Sequence, residues 1–143
     1  MRRLSSVVLA FALSACERDA TAPSPARLAP FDEVFSLRVG ETARITGTAI
    51  SLTFRRVAED SRCPTSVVCV WEGNGRVVLR LAGGPAPLEA ELNTSLEPTS
   101  ASYGGHMIEL LALDPYPETP DPIPEDRYRA ALRVRAETHP WVP

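Results

Sequence analysis

From Phe35 onward the apolar residues recur at every second position, and the segments that carry this alternation are short. Phe35, Leu37 and Val39 alternate with Ser36 and Arg38 before a Gly40-Glu41 turn, and Ala43 and Ile45 continue up to Gly47. Ile50, Leu52 and Phe54 alternate with Ser51, Thr53 and Arg55. Val77, Leu79 and Leu81 face one way and Arg76, Val78 and Arg80 the other, until Gly83-Gly84-Pro85 ends the run. Leu88, Ala90 and Leu92 alternate with Glu89 and Glu91, and Tyr128 to Ala136 repeats the pattern against Arg129, Arg133 and Arg135. A period of two places alternate side chains on opposite faces of a strand, so each segment predicts a strand with one buried and one wet face. Met107 to Leu113 is apolar apart from Glu109, and its length and the Asp114-Pro115 stop predict a buried strand rather than helical turns. The expected fold is all-β: a single small antiparallel sandwich or barrel of six to seven strands, with no internal repeat.

The first residues follow a different logic. Arg2 and Arg3 precede a run from Leu4 to Leu13 interrupted only by two serines. That is the charged start and short apolar stretch of a secretory signal, too short for a permanent span, which needs about 20 apolar residues. Leu13-Ser14-Ala15-Cys16 resembles the lipobox of bacterial lipoproteins. The resemblance implies cleavage before Cys16 and acylation of that cysteine, with more than one chain because a single one anchors only marginally. The sorting rule of such lipoproteins retains those with Asp after the cysteine. Glu17 therefore favours the outer membrane if the cell has two.

The expected organisation is a signal peptide over residues 1–15, a lipidated Cys16 with a flexible Ala-, Ser- and Pro-rich tether to residue 30, a β-domain over 31–137 and a tail over 138–143 containing Trp141. Removing 15 residues from 143 leaves 128, enough for one domain. Of 15 basic residues, Arg2 and Arg3 go with the signal, leaving 13 against 18 acidic ones, a net charge of −5. This acidity argues against nucleic acid or an anionic membrane surface as partner. Every basic residue is Arg, with no mechanistic consequence drawn. With Cys16 taken by lipid, Cys63 and Cys69 remain as a pair in an oxidising compartment and predict a disulfide.

The stretch around that pair is the densest in information. Asp60-Ser61-Arg62-Cys63-Pro64, then four residues, then Cys69-Val70-Trp71-Glu72-Gly73-Asn74 resembles the pattern of a family of small bacterial lipoproteins and secreted proteins with no assigned activity. The resemblance is specific over residues 59–75, is looser over 35–136, and implies no chemistry. Read physically, Pro64 biases the chain to turn inside the disulfide loop, and at least one of Val67 and Val68 should face the core. Trp71 should cover the disulfide, Gly73-Asn74-Gly75 should reverse the chain, and Asp60 and Arg62 could pair or cap loop amides. A stapled corner is one reading. The other is a recognition surface of Arg62, Trp71, Glu72 and Asn74, in which Arg62 or the loop could present itself to a hydrolase.

The remaining chemistry is thin. His106 and His139 have no paired ligand spacing with the cysteines, so no metal site is expected. Ser100, Ser102 and His106 lack a nucleophile-elbow context, and no nucleotide motif is present. Glu89 and Glu91 are expected to offset Arg129, Arg133 and Arg135 across a sheet, although those arginines could also meet a polyanion such as lipopolysaccharide. Residues 115–124 hold five prolines and predict a stiff connection, or a partner-binding edge exposing Tyr116 and Ile123. The expected function is a non-enzymatic, cofactor-free lipoprotein of the cell envelope, held to a membrane through Cys16 and binding an envelope or extracellular protein. The alternatives are a passive structural lipoprotein and an inhibitor of a lysozyme or protease.

Overall fold

The alternation of the sequence reappears as alternating burial along nine strands in a computed structural model that describes residues 25–138. The strands are β1 (Arg27–Ala29), β2 (Val34–Arg38), β3 (Thr42–Ile45), β4 (Ser51–Asp60), β5 (Gly75–Ala82), β6 (Leu88–Asn93), β7 (Ser100–Tyr103), β8 (His106–Asp114) and β9 (Arg129–Ala136). They form two sheets, ordered β1-β3-β4-β5-β6 and β2-β9-β8-β7. The sheets face one another as a sandwich and do not close into a barrel, which resolves the choice left open by the sequence. The only helical turn among the described residues is a 3-10 turn at Glu125–Arg127, and no helix there is long and apolar enough to cross a membrane.

The inward positions of both sheets supply one core. Ala43, Leu52, Phe54, Val77, Leu79, Leu81 and Leu92 of one sheet meet Leu37, Ile108, Ala130, Leu132 and Val134 of the other, all without exposed surface. Each such side chain contributes about 1.5–3 kcal/mol relative to exposure. Val78 points outward as the alternation requires, yet it is buried, standing between its cross-strand neighbours Arg56 and Glu91.

Two strands exceed the expected number. β7 is four residues of Ser, Ala and Tyr, too short and polar to show a period. β1 lies in the tract whose composition reads as tether, which moves the start of the ordered domain from 31 back to 27 or earlier. Its pairing with β3 is parallel, an exception to the expected antiparallel pattern, and its register sets Arg27 beside Ala43 and Ala29 beside Ile45. Ala29 is buried and its carbonyl accepts from both the Thr46 amide and the Thr46 hydroxyl. Three residues held by a partner fourteen or more positions away carry no local signal. Cys16, residues 17–24 of the tether, His139 and Trp141 lie outside the described residues.

The arginine stripe on β9 has a different partner from the one expected. β6 and β9 belong to different sheets, so Glu89 and Glu91 cannot face Arg129, Arg133 and Arg135 across a ladder. Glu109 of β8 serves instead, accepting from Arg133 Nε at 2.8 Å and Arg135 Nε at 3.0 Å. Burial opposes ionisation of Glu109, but the two guanidinium groups prevail and hold its carboxyl below the ordinary range. Glu91 pairs with Arg76 at 3.5 Å.

Candidate functional site

The hairpin of β4 and β5 does not stop where the sheet does. Register shifts between Phe54 and Arg56 and between Val57 and Glu59 mark bulges that bend and twist the strand. Past Asp60 the hairpin continues as a two-stranded arm: the Ser61 amide donates to Asn74 O at 2.8 Å and the Cys63 amide to Glu72 O at 2.8 Å. The chain therefore reverses at the tip, between Pro64 and Trp71, and not at Gly73-Asn74-Gly75. Gly73 takes φ +72°, where a Cβ would stand 1.9 Å from the Ser61 carbonyl oxygen. Only glycine lets the two arms approach so closely.

The tip is closed by the expected Cys63–Cys69 disulfide, with Cα atoms 6.0 Å apart. A bond across so few residues removes about 2 kcal/mol of unfolded-chain entropy, and its effect is local. The second support comes from the proline segment. The Thr65 amide donates to Pro117 O and the Ser66 amide to Glu118 O, both at 3.1 Å, so residues 115–124 brace the tip rather than merely link two strands.

At the root of the arm sits Arg62, only 6% exposed. Its Nε and Nη2 each reach an oxygen of Asp60 at 2.7 Å, a bidentate pair. Nη2 also donates to Pro115 O at 3.0 Å, Nη1 donates to Leu113 O, and the guanidinium lies 5.2 Å from the centre of the Tyr116 ring. Tyr128 completes the cluster by donating its hydroxyl to Asp60 Oδ2 at 2.8 Å. Arg62 thus ties the hairpin to the β8 end and to the first prolines. It is not a contact residue in solvent, as the sequence reading allowed. Asn74 is likewise buried: its Nδ2 donates to Asn93 Oδ1 at 2.8 Å and its Oδ1 accepts from the Ser95 amide at 3.2 Å.

Burial penalises the charged form of Asp60, yet the hydrogen bonds from Arg62 and Tyr128 and the charge of Arg62 outweigh it and hold the carboxyl below its ordinary range. Burial and the adjacent carboxylate push Tyr128 the other way, from 10 up to about 12. A raised tyrosine pKa means that the neutral form is the one the fold favours, so its contribution is complete below pH 10 and is lost as pH rises through about 12. In a spectroscopic alkaline titration, Tyr128→Phe should remove a phenolate step near pH 12. Loss of a step near pH 10 instead would show that the hydroxyl does not hold this bond.

The valines and tryptophan of the tip are placed against expectation. Val68 is 102% exposed, Val70 98% and Trp71 83%; Val67 is exposed too, and Trp71 does not cover the disulfide. The reason lies in the geometry of the arm. A two-stranded projection beyond its sheet has no opposite layer to bury a side chain against. Of the residues expected to bind, Trp71 and Glu72 are at the surface while Arg62 and Asn74 are beneath it. Val68 and Val70 were missed, because alternation and composition do not reveal that a hairpin outruns its sandwich.

Between the arm and the proline segment runs a groove of about 480 Å³, lined by Asp60, Arg62, Pro117, Pro120, Ile123 and Tyr128 among others. Asp60, Arg62 and Tyr128 satisfy one another there, and the Thr119 hydroxyl donates to Asp121 Oδ2 at 3.0 Å. No group of three or more His, Cys, Asp or Glu side chains is placed to hold a metal among the described residues. His106 is the first residue of β8, just past the Gly104-Gly105 turn: its Nδ1 lies 2.8 Å from Gly104 O and its ring meets Phe31 edge-on at 6.0 Å.

No protein-family model matches the chain, nor does any curated protein or solved structure.

Proposed function

We propose that this protein is a lipid-anchored, non-enzymatic binding module of the cell envelope, whose contact element is the stapled hairpin tip. The observation that carries the reading is the exposure of Val68, Val70 and Trp71 on a tip fixed by a disulfide and by two hydrogen bonds to carbonyls of the proline segment. Three large apolar side chains within four residues lose contact with water only when something else covers them. Holding the loop rigid lowers the entropy lost when it is covered. Arg62 and Asn74 act as supports of the tip, and Trp71 and Glu72 remain in the contact set. The lipobox-like Leu13-Ser14-Ala15-Cys16 supplies the anchor.

A photo-crosslinking side chain placed at Val70 tests this in intact cells, with the same side chain at the exposed Arg80 on β5 as control. Position 70 should give covalent adducts to an envelope component, protein or lipid, and position 80 should not. Adducts at neither position, or at both equally, would remove the tip as the contact element.

A further inference from the structure

We propose that the tip docks on the neutral lipid surface of the membrane that holds Cys16, with Val68, Val70 and Trp71 entering the headgroup region. The proposal rests on the lipid-anchor reading of Cys16 and adds to it a second, weaker point of attachment.

The direction of the chain supports it. β1 is parallel to β3, and β3 is antiparallel to β4. β1 therefore runs opposite to β4, and its Arg27 end is the one nearer Asp60 and the tip. Register sets Arg27 beside Ala43 and Ala43 beside Leu52. From the height of Leu52 to that of Cys63, allowing for the two bulges, the hairpin rises about 30 Å. The eleven residues from Cys16 to Arg27 reach at most about 36 Å. The anchor and the tip can therefore meet one plane, on the side of the Arg27 end of β1.

The chemistry of the tip fits that plane. Tryptophan is favoured at the membrane interface, where its ring is covered and its N–H stays wet, and two fully exposed valines precede it in sequence. The Thr65 and Ser66 amides are already bonded to the proline segment, so entering a drier layer does not strand them. The charges beside the trio are acidic: Glu72 follows Trp71, and Glu118 is held beside the tip by its backbone carbonyl, which accepts from the Ser66 amide. Of the two arginines nearest in sequence, Arg62 is buried and paired, and Arg76 lies between two carboxylates, Glu59 and Glu91, each at 3.5 Å. Such a surface is repelled by anionic lipid, which selects a neutral bilayer.

The experiment uses the mature full-length chain purified from membranes, its N-terminal acylation first read by intact mass, with Trp141→Phe leaving Trp71 as the sole tryptophan. In phosphatidylcholine vesicles carrying brominated acyl chains, Trp71 emission should move to the blue and be quenched several-fold. Val68→Ser with Val70→Ser should weaken the quenching without changing the unfolding midpoint, and phosphatidylglycerol should weaken it too. An acylated chain whose Trp71 stays unshifted and unquenched would overturn the docking alone, and so would quenching that grows with anionic lipid. An unacylated N-terminus would overturn the anchor reading and the docking together.

Discussion

Arg62→Ala is expected to destabilise the domain by about 3–5 kcal/mol, the cost of breaking a buried ion pair from one side. The substitution leaves the Asp60 carboxylate without its bidentate partner and strips the Leu113 and Pro115 carbonyls of their donor. Against the roughly 5–15 kcal/mol that holds a domain of this size, that is a large share. It should appear as a lower urea midpoint with little change in slope. Trp71→Ala, which removes a side chain that touches little, should stay within about 0.5 kcal/mol of the parent. The two substitutions therefore separate support from contact in one denaturation series. The Arg62 effect should also depend on pH. Asp60 has a depressed pKa, so the stability it lends is present above the unfolded carboxylate value of about 3.9 and disappears as pH falls through the folded one. The gap between parent and Arg62→Ala should close in acid. A gap that is small at neutral pH, or that persists unchanged in acid, would mean the pair does not bind the hairpin to the sandwich.

Gly73→Ala should be the second most damaging change, at about 3 kcal/mol. An alanine at φ +72° carries about 1 kcal/mol of backbone strain, and its Cβ would collide with the Ser61 carbonyl. Relief requires the arms to part, which gives up the Ser61–Asn74 and Cys63–Glu72 hydrogen bonds at about 1 kcal/mol each. Gly40→Ala is the matched control: φ is +83° there, but nothing lies within 4 Å of the added Cβ. Only the strain should register. Equal effects at the two positions, measured by urea unfolding, would show that the close approach at Gly73 does not matter.

These two residues show where reading the sequence succeeds and where it stops. β4, β5, β8 and β9 were legible because each repeats an apolar period against a polar face, and the disulfide was legible once the lipobox resemblance had set Cys16 apart. β1 and β7 were not, because three or four residues cannot display a period; β1 also has its partner sixteen positions along the chain, and β7 is a polar Ser-Ala-Ser-Tyr run. Asp60 and Arg62 are two apart and invite pairing, but their burial depends on Leu113, Pro115, Tyr116 and Tyr128, all more than fifty positions away. Trp71 was read as a cover for the disulfide because large apolar residues are usually buried. The arm that carries it leaves the sandwich, and no local rule records that departure.

β1 has a mechanical consequence. It is the first strand among the described residues that a pull from upstream would reach, joined to β3 in parallel over three residues and clamped at its far end by Thr46. Tension applied from the tip side runs along the strand axis, so the ladder is sheared and its bonds must yield together. Tension from the opposite side would fold the strand back and peel it one bond at a time. The same three residues are thus a strong attachment in one direction of load and a weak one in the other.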